Sequence, residues 1–324
     1  MENPTSEEKV LAALAHGSVL FAWFGPIAPT ILWVTQRNKS KYVRFHALQA
    51  MGYQALVFWG WILGFIAVVI GMFGVIFVAA LVLDSNQMES PAIPIFLQFF
   101  TMLSIFGLWG FFFLGGLVGA VFCMTGRQFR YPILGPWLKA KLFGDQVTDE
   151  DFERWEDAWV GGVCHLTVVM QMFGIITPLI VWFTQRERSV KLRFQASQAA
   201  FYQLISVIAY FLASVGSFVF FFVLMASVVI LAGGRSGSNE SVYNIAGGTV
   251  MLLILGMFLV ELLAFLLVPL YYLLAGVGAI RTMRGHEFKY PILGGILARR
   301  MPAVPPQEAA PISAAPGHGP DPAI

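Results

Sequence analysis

Six apolar runs decide what this chain can fold into: roughly residues 10–34, 47–83 and 93–124, then 159–183, 196–232 and 245–280. A helix needs about 20 apolar residues to cross the hydrocarbon core of a bilayer, and every run reaches that length. With 58% of its 324 residues hydrophobic and 12% charged, the chain carries roughly half the charge of a soluble domain. That balance excludes a soluble globular protein, and so much apolar surface excludes a disordered one. What remains is an all-α integral membrane protein whose first partner is the lipid bilayer.

The runs are also a duplication. Sliding the chain by the distance from His16 to His165 aligns Trp33-Val-Thr-Gln-Arg37 with Trp182-Phe-Thr-Gln-Arg186. The same slide aligns Arg44-Phe45 with Arg193-Phe194, Gln49-Ala50 with Gln198-Ala199, and Tyr53-Gln54 with Tyr202-Gln203. Each half then closes on a second motif, Gly126-Arg-Gln-Phe-Arg-Tyr-Pro-Ile-Leu-Gly135 and Gly285-His-Glu-Phe-Lys-Tyr-Pro-Ile-Leu-Gly294. That motif is offset by about ten residues more, and the polar stretch from Gly233 to Gly247 is where the extra length is expected. The organisation that follows is a membrane repeat over 1–142, an acidic cytoplasmic linker over 143–158, a second repeat over 159–300 and a disordered Pro/Ala-rich tail over 301–324. The acidic start of the chain does not resemble a secretory signal, so the N-terminal segment is expected to be retained.

Charge sets the sidedness. Basic residues follow the first run of each half (Arg37, Lys39, Lys41, Arg44; Arg186, Arg188, Lys191, Arg193) and also the third, whereas the loops between second and third runs have no positive excess. The positive-inside rule places both basic margins and both termini in the cytoplasm, in a cytoplasmic (inner) membrane. Run 159–183 then begins and ends on one side, so it cannot be a single crossing. Gly25-Pro26 with Pro29, and Gly174 with Pro178, break the first run of each half into arms too short to span. Each repeat is therefore read as a re-entrant or half-depth hairpin followed by two long transmembrane helices. The competing topology, three crossings per half in an inverted repeat, sets one basic margin outside. The second runs exceed a bilayer's thickness, and their N-terminal parts are expected to lie in the interface.

Within the membrane, small or polar residues recur on one helical face: Gln49, Tyr53, Gly60, Gly64 and Ala67, and in the copy Gln198, Tyr202, Ala209, Ala213 and Gly216. Such a stripe lets helix backbones approach closely, and it is expected to join the two halves. Trp33 and Arg37, with their counterparts Trp182 and Arg186, are expected to anchor the membrane surface. The aromatic-basic motif, with Tyr131 and Tyr290, is expected to do the same and to stop each third helix at Pro132 or Pro291.

Three intramembrane residues bear on chemistry. Glu261 stands alone in an apolar run, where a carboxylate costs about 2.5–3.5 kcal/mol unless neutralised or paired. It is either a hydrogen-bonded bundle residue or part of a transport path. His16 and His165 either bond a neighbouring helix or meet at a pseudo-twofold interface, there to titrate near neutral pH or bind a metal. Cys123 and Cys164 read as buried thiols, and no spacing of Cys and His signals a metal centre. No phosphate loop or hydrolase motif occurs, so neither an enzyme activity nor a cofactor is expected. The net charge of +2 is too small for a nucleic-acid footprint.

The string from Trp33 through Arg44-Phe-His-Ala-Leu-Gln49-Ala, followed by Phe-Arg-Tyr-Pro132, resembles a family of bacterial multi-pass membrane proteins of unknown function. That family is related to the twenty-kilodalton subunit of the chloroplast inner-envelope protein translocon, and here it would occur as a fused tandem pair. The resemblance implies a membrane assembly and supplies no catalytic residue; Gln195 in place of His46 and the unmatched Glu261 depart from equivalence of the two copies. The expectation is a non-enzymatic scaffold or accessory subunit of a membrane complex, partnered by other membrane subunits and compatible with homo-oligomers. The rival is a transporter or channel using the repeat interface and Glu261.

Overall fold

The computed structural model describes residues 3–82, 91–144, 147–233 and 240–301, and all regular structure among them is helical. In the first half, α1 (Ser6–Gly17) runs through a 3-10 turn (Ser18–Phe24) into α2 (Ile27–Gln36), followed by α3 (Lys41–Val82), α4 (Ala92–Met124) and a short α5 (Leu134–Phe143). The second half repeats the order as α6 (Asp149–Leu166), a 3-10 turn (Thr167–Phe173), α7 (Ile176–Gln185), α8 (Val190–Gly233), α9 (Glu240–Met283) and α10 (Leu293–Arg300). Four stretches are long and apolar enough to cross a membrane: Lys41–Val82, Ala92–Met124, Val190–Ile230 and Leu266–Met283. The all-α membrane architecture, with two long helices and one broken hairpin per repeat, is as the apolar runs require.

The hairpins break where the backbone leaves helical space. Ala22 and Gln171, equivalent residues, sit at φ of 48° and 51°, a region costly for side chains with a Cβ. Gln54 and Gln203 reach in from the long helices to hold the breaks. Gln54 Nε2 donates to the Ala15 carbonyl and the Ser18 hydroxyl, and Gln203 Nε2 donates to the Cys164 carbonyl. Buried carbonyls freed by a helix break need a partner, and these glutamines supply one.

The long second runs are each one continuous helix, and the buried residues of α3 all lie between Tyr42 and Phe58. Beyond that point α3 exposes Phe73, Phe77 and Leu81, the surface expected to meet lipid. Two expectations are corrected. The extra length of the second repeat enters a helix, since α9 has 44 residues against 33 in α4 and already begins at Glu240; residues 234–239 of that stretch lie outside the described residues. Finally, α4 and α9 end before the prolines. Gly126 and Gly285 have φ of 76° and 81°, and the N–H groups of Arg127 and His286 bond back to the Phe122 and Arg281 carbonyls. This is a glycine-terminated helix end, which only a residue without a Cβ adopts readily.

The two repeats share one core. Trp33, Leu48 and Met51 pack in a single cluster with Trp159, Val163, Val181 and Leu192. Arg37 of the first repeat and Arg188 of the second both bond Glu153, so the two basic margins lie side by side. The acidic segment, read as a solvated helix capped by Thr148, is the N-terminal half of α6, with the Thr148 hydroxyl accepting the Asp151 N–H. Asp149, Glu150 and Glu153 are exposed on it, while Glu156 and Ala158 are buried in the core. The tail beyond Met301 and the loop 83–90 lie outside the described residues.

Candidate functional site

Polar side chains converge in two kinds of place, a clasp between the repeats and a node inside each repeat. Glu156 of α6 is the centre of the clasp and is fully buried. Its Oε1 accepts the Trp33 indole N–H at 2.8 Å and Arg44 Nε–H at 2.6 Å. Its Oε2 accepts from Arg37 at 2.9 Å and from Arg44 Nη2. Arg37 also bonds Glu153 and Gln185, and Arg188 bonds Glu153 and Asp157. Burial alone would raise the Glu153 carboxyl, but Arg37 and Arg188 outweigh it and hold the group below its ordinary range. For Asp157 burial wins over Arg188 and the carboxyl is raised. Two indoles reinforce the seam, Trp59 donating to the Leu166 carbonyl and Trp159 to the Leu48 carbonyl, each at 3.0 Å. A Cβ on Gly52 would stand 2.1 Å from the Trp159 ring, so this approach requires glycine.

Trp33 and Arg37 are therefore not surface anchors. A fully buried indole bonded to a carboxylate cannot reach a headgroup region. Their counterparts differ: Trp182 is half-buried against Phe201, and Arg186 is exposed beside Glu187. Tyr131 and Tyr290 are likewise interior, bonded to His16 at 3.0 Å and His165 at 2.9 Å. Gln49 receives the Tyr131 N–H and donates to the Phe129 carbonyl, and Gln198 does the same for Tyr290 and Phe288. Tyr53 stacks on Tyr131 at 3.7 Å and Tyr202 on Tyr290 at 3.9 Å. The aromatic-basic motif is thus tucked over each node.

The small-residue stripe does not join the halves. A Cβ on Gly60 or Gly216 would meet nothing within 4 Å, and Ala67, Ala209 and Ala213 are exposed. Only Gly64 packs, against Leu108. Glu261 lies within α9, with its side chain outside the described residues.

His16 and His165 do not meet; each is the hub of its own repeat. In the first, His16 Nε2 lies 3.1 Å from His46 Nδ1, which lies 3.5 Å from Cys123 Sγ. One ligand atom from each residue falls within 4.8 Å of the others, and all three side chains are fully buried. In the second, the equivalents are His165, Gln195 and Thr282, closed by hydrogen bonds of 3.0 Å and 3.4 Å to Gln195 Oε1. No local spacing announces the His–His–Cys set, because its members come from α1, α3 and α4. Only a comparison of the two copies, position by position, would have singled it out.

Searches among curated proteins and among solved structures return no match. A family model does match, twice, over residues 7–138 and 156–297, together most of the chain. Each matched segment takes in one hairpin, the two long helices after it and the aromatic-basic motif. The chain belongs to the MamF/MmsF family, the magnetosome magnetite crystal formation protein family.

Proposed function

We propose that this chain is a non-enzymatic scaffold or accessory subunit of a membrane complex, and that it serves magnetite crystal formation at a magnetosome membrane, as the description of its family suggests. The observation that carries the reading is the clasp on Glu156, which fastens the two repeats together. The long apolar helices are left facing outward. Gly60, Ala67, Ala209, Ala213 and Gly216 lie on those outward surfaces, where small residues let a neighbouring chain's helix approach closely. The basic margins and both termini face the cytoplasm in this reading.

Two measurements test it together. Extraction from the native membrane in mild detergent should bring defined membrane subunits with the chain, and its removal from the host should change the size, shape or number of crystals seen by electron microscopy. Unchanged crystals in the deletion strain, or a solitary chain that carries flux across liposomes, would overturn the proposal.

A further inference from the structure

We infer that the node of the first repeat is a metal site. His16, His46 and Cys123 bind a single thiolate-preferring ion, of which Zn²⁺ is the probe. The second repeat holds a hydrogen-bonded replica that has no such capacity.

The ligand geometry is the first support. A tetrahedral Zn²⁺ with two imidazoles and one thiolate sets neighbouring ligand atoms about 3.4 Å apart for N and N and about 3.6 Å for N and S, from the usual bond lengths. The observed separations are 3.1 Å between the imidazoles and 3.5 Å between His46 Nδ1 and Cys123 Sγ. The third residue completes the set within 4.8 Å. Two nitrogens and a sulfur suit Zn²⁺ or Cu⁺ and disfavour Mg²⁺ or Ca²⁺, which take oxygen. His16 is oriented for the purpose: with Nε2 on the ion, its Nδ1–H donates to the Tyr131 hydroxyl 3.0 Å away, the outer contact that metal-bound imidazoles characteristically make.

The second support is the direction in which His46 faces. The residue is fully buried, and among the described residues the polar atoms its Nδ1 meets are the other two members of the set, while Nε2 on the far side of the ring has no hydrogen-bond partner. Its polar contacts thus all point into the cluster.

The third support is the internal control. The second repeat builds the same node with Gln195 and Thr282 in place of His46 and Cys123. Gln195 there accepts from Thr282 and pairs with His165, and it donates to the Phe288 carbonyl. An amide and a hydroxyl satisfy the fold at these positions, so it does not require the imidazole and thiol of the first repeat. Binding the ion releases the Cys123 thiol proton, so uptake weakens as pH falls.

The test uses the full chain, purified without a histidine tag, incubated with Zn²⁺ and dialysed. Wild type should retain about one Zn²⁺ per chain and unfold at higher temperature with the ion than without it. The double variant H46Q/C123T, which installs residues the second repeat already accommodates, should retain none and show no Zn²⁺ shift. The reciprocal Q195H/T282C should raise retention to about two. Co²⁺ gives a second readout: wild type should develop a sulfur-to-metal absorption band that C123S lacks, whatever the latter's stability. Equal Zn²⁺ retention by H46Q/C123T, or a folded wild type that takes up neither ion, would overturn the assignment. A failure here leaves the scaffold role untouched, since that role is read from crystals and co-purifying subunits.

Discussion

Trp33 of the first repeat donates its indole N–H to the carboxylate of Glu156 in the second, across 2.8 Å of a fully buried seam. The same carboxylate takes both Arg37 and Arg44, so two cations face one buried anion from the opposite repeat. Removing the anion leaves both guanidinium groups short of a partner in a dry environment. Glu156→Ala should therefore cost about 3–5 kcal/mol, the usual penalty for breaking a buried pair. Trp33→Phe removes one neutral donor and should cost nearer 1 kcal/mol plus some packing. Thermal unfolding in detergent separates the two, and a Glu156→Ala protein as stable as wild type would refute the clasp.

A Trp and an Arg one turn apart at the end of an apolar run look alike whether a headgroup or another repeat's carboxylate faces them. Glu156 sits among Asp149, Glu150, Asp151, Glu153 and Asp157, which together resemble a solvated face. A signal was present: Phe152, Glu156, Trp159 and Val163 follow helical spacing and put Glu156 on the apolar side. By contrast the duplication, the two long helices per repeat and the broken hairpin were all legible, because run length and paired Gly/Pro breaks are local properties. The His16, His46 and Cys123 cluster was not, since it depends on the mutual approach of three separate helices.

Arg37 and Arg188 share Glu153, and this adjacency of the basic margins predicts that both repeats insert the same way up. Lys39 and Glu187 are exposed at these margins, while Cys123 and Cys164 are buried and contribute little background. Single cysteines at the two exposed positions should both be shielded from, or both open to, a membrane-impermeant maleimide in intact cells. Labelling of one and protection of the other would mean an inverted pair.

The acid end of the pH range tests the first hairpin. The Ser40 hydroxyl, and after it the Thr5 backbone N–H, hold the Glu8 carboxyl below its ordinary 4.5, against slight desolvation. Because the folded value is depressed, this contribution is complete above about 4.5 and is lost as pH falls through the lowered value. Wild type should thus lose melting temperature below pH 4.5 more steeply than Glu8→Gln, whose cap cannot titrate. Identical slopes for the two proteins would show that the capping box does not couple to stability.

The hairpin tips give the last prediction, an asymmetry between equivalent glycines. A Cβ on Gly25 would meet Gln54 Oε1 at 2.6 Å and the Ala22 carbonyl at 3.0 Å. On Gly174 it would meet the Thr167 carbonyl oxygen at 2.0 Å and Gln203 Oε1 at 2.8 Å. The nearest obstacle is therefore the end of a flexible side chain in one copy and the main chain itself in the other. A glutamine amide swings aside at the loss of its own hydrogen bonds, whereas a backbone carbonyl moves only with the whole turn. Overpacking typically costs about 1–3 kcal/mol, and Gly25→Ala should fall at the low end of that range with Gly174→Ala at or above the top. Unfolding of the two variants in parallel decides it. Equal losses, or a greater loss for Gly25→Ala, would mean that the two turns are not packed as described.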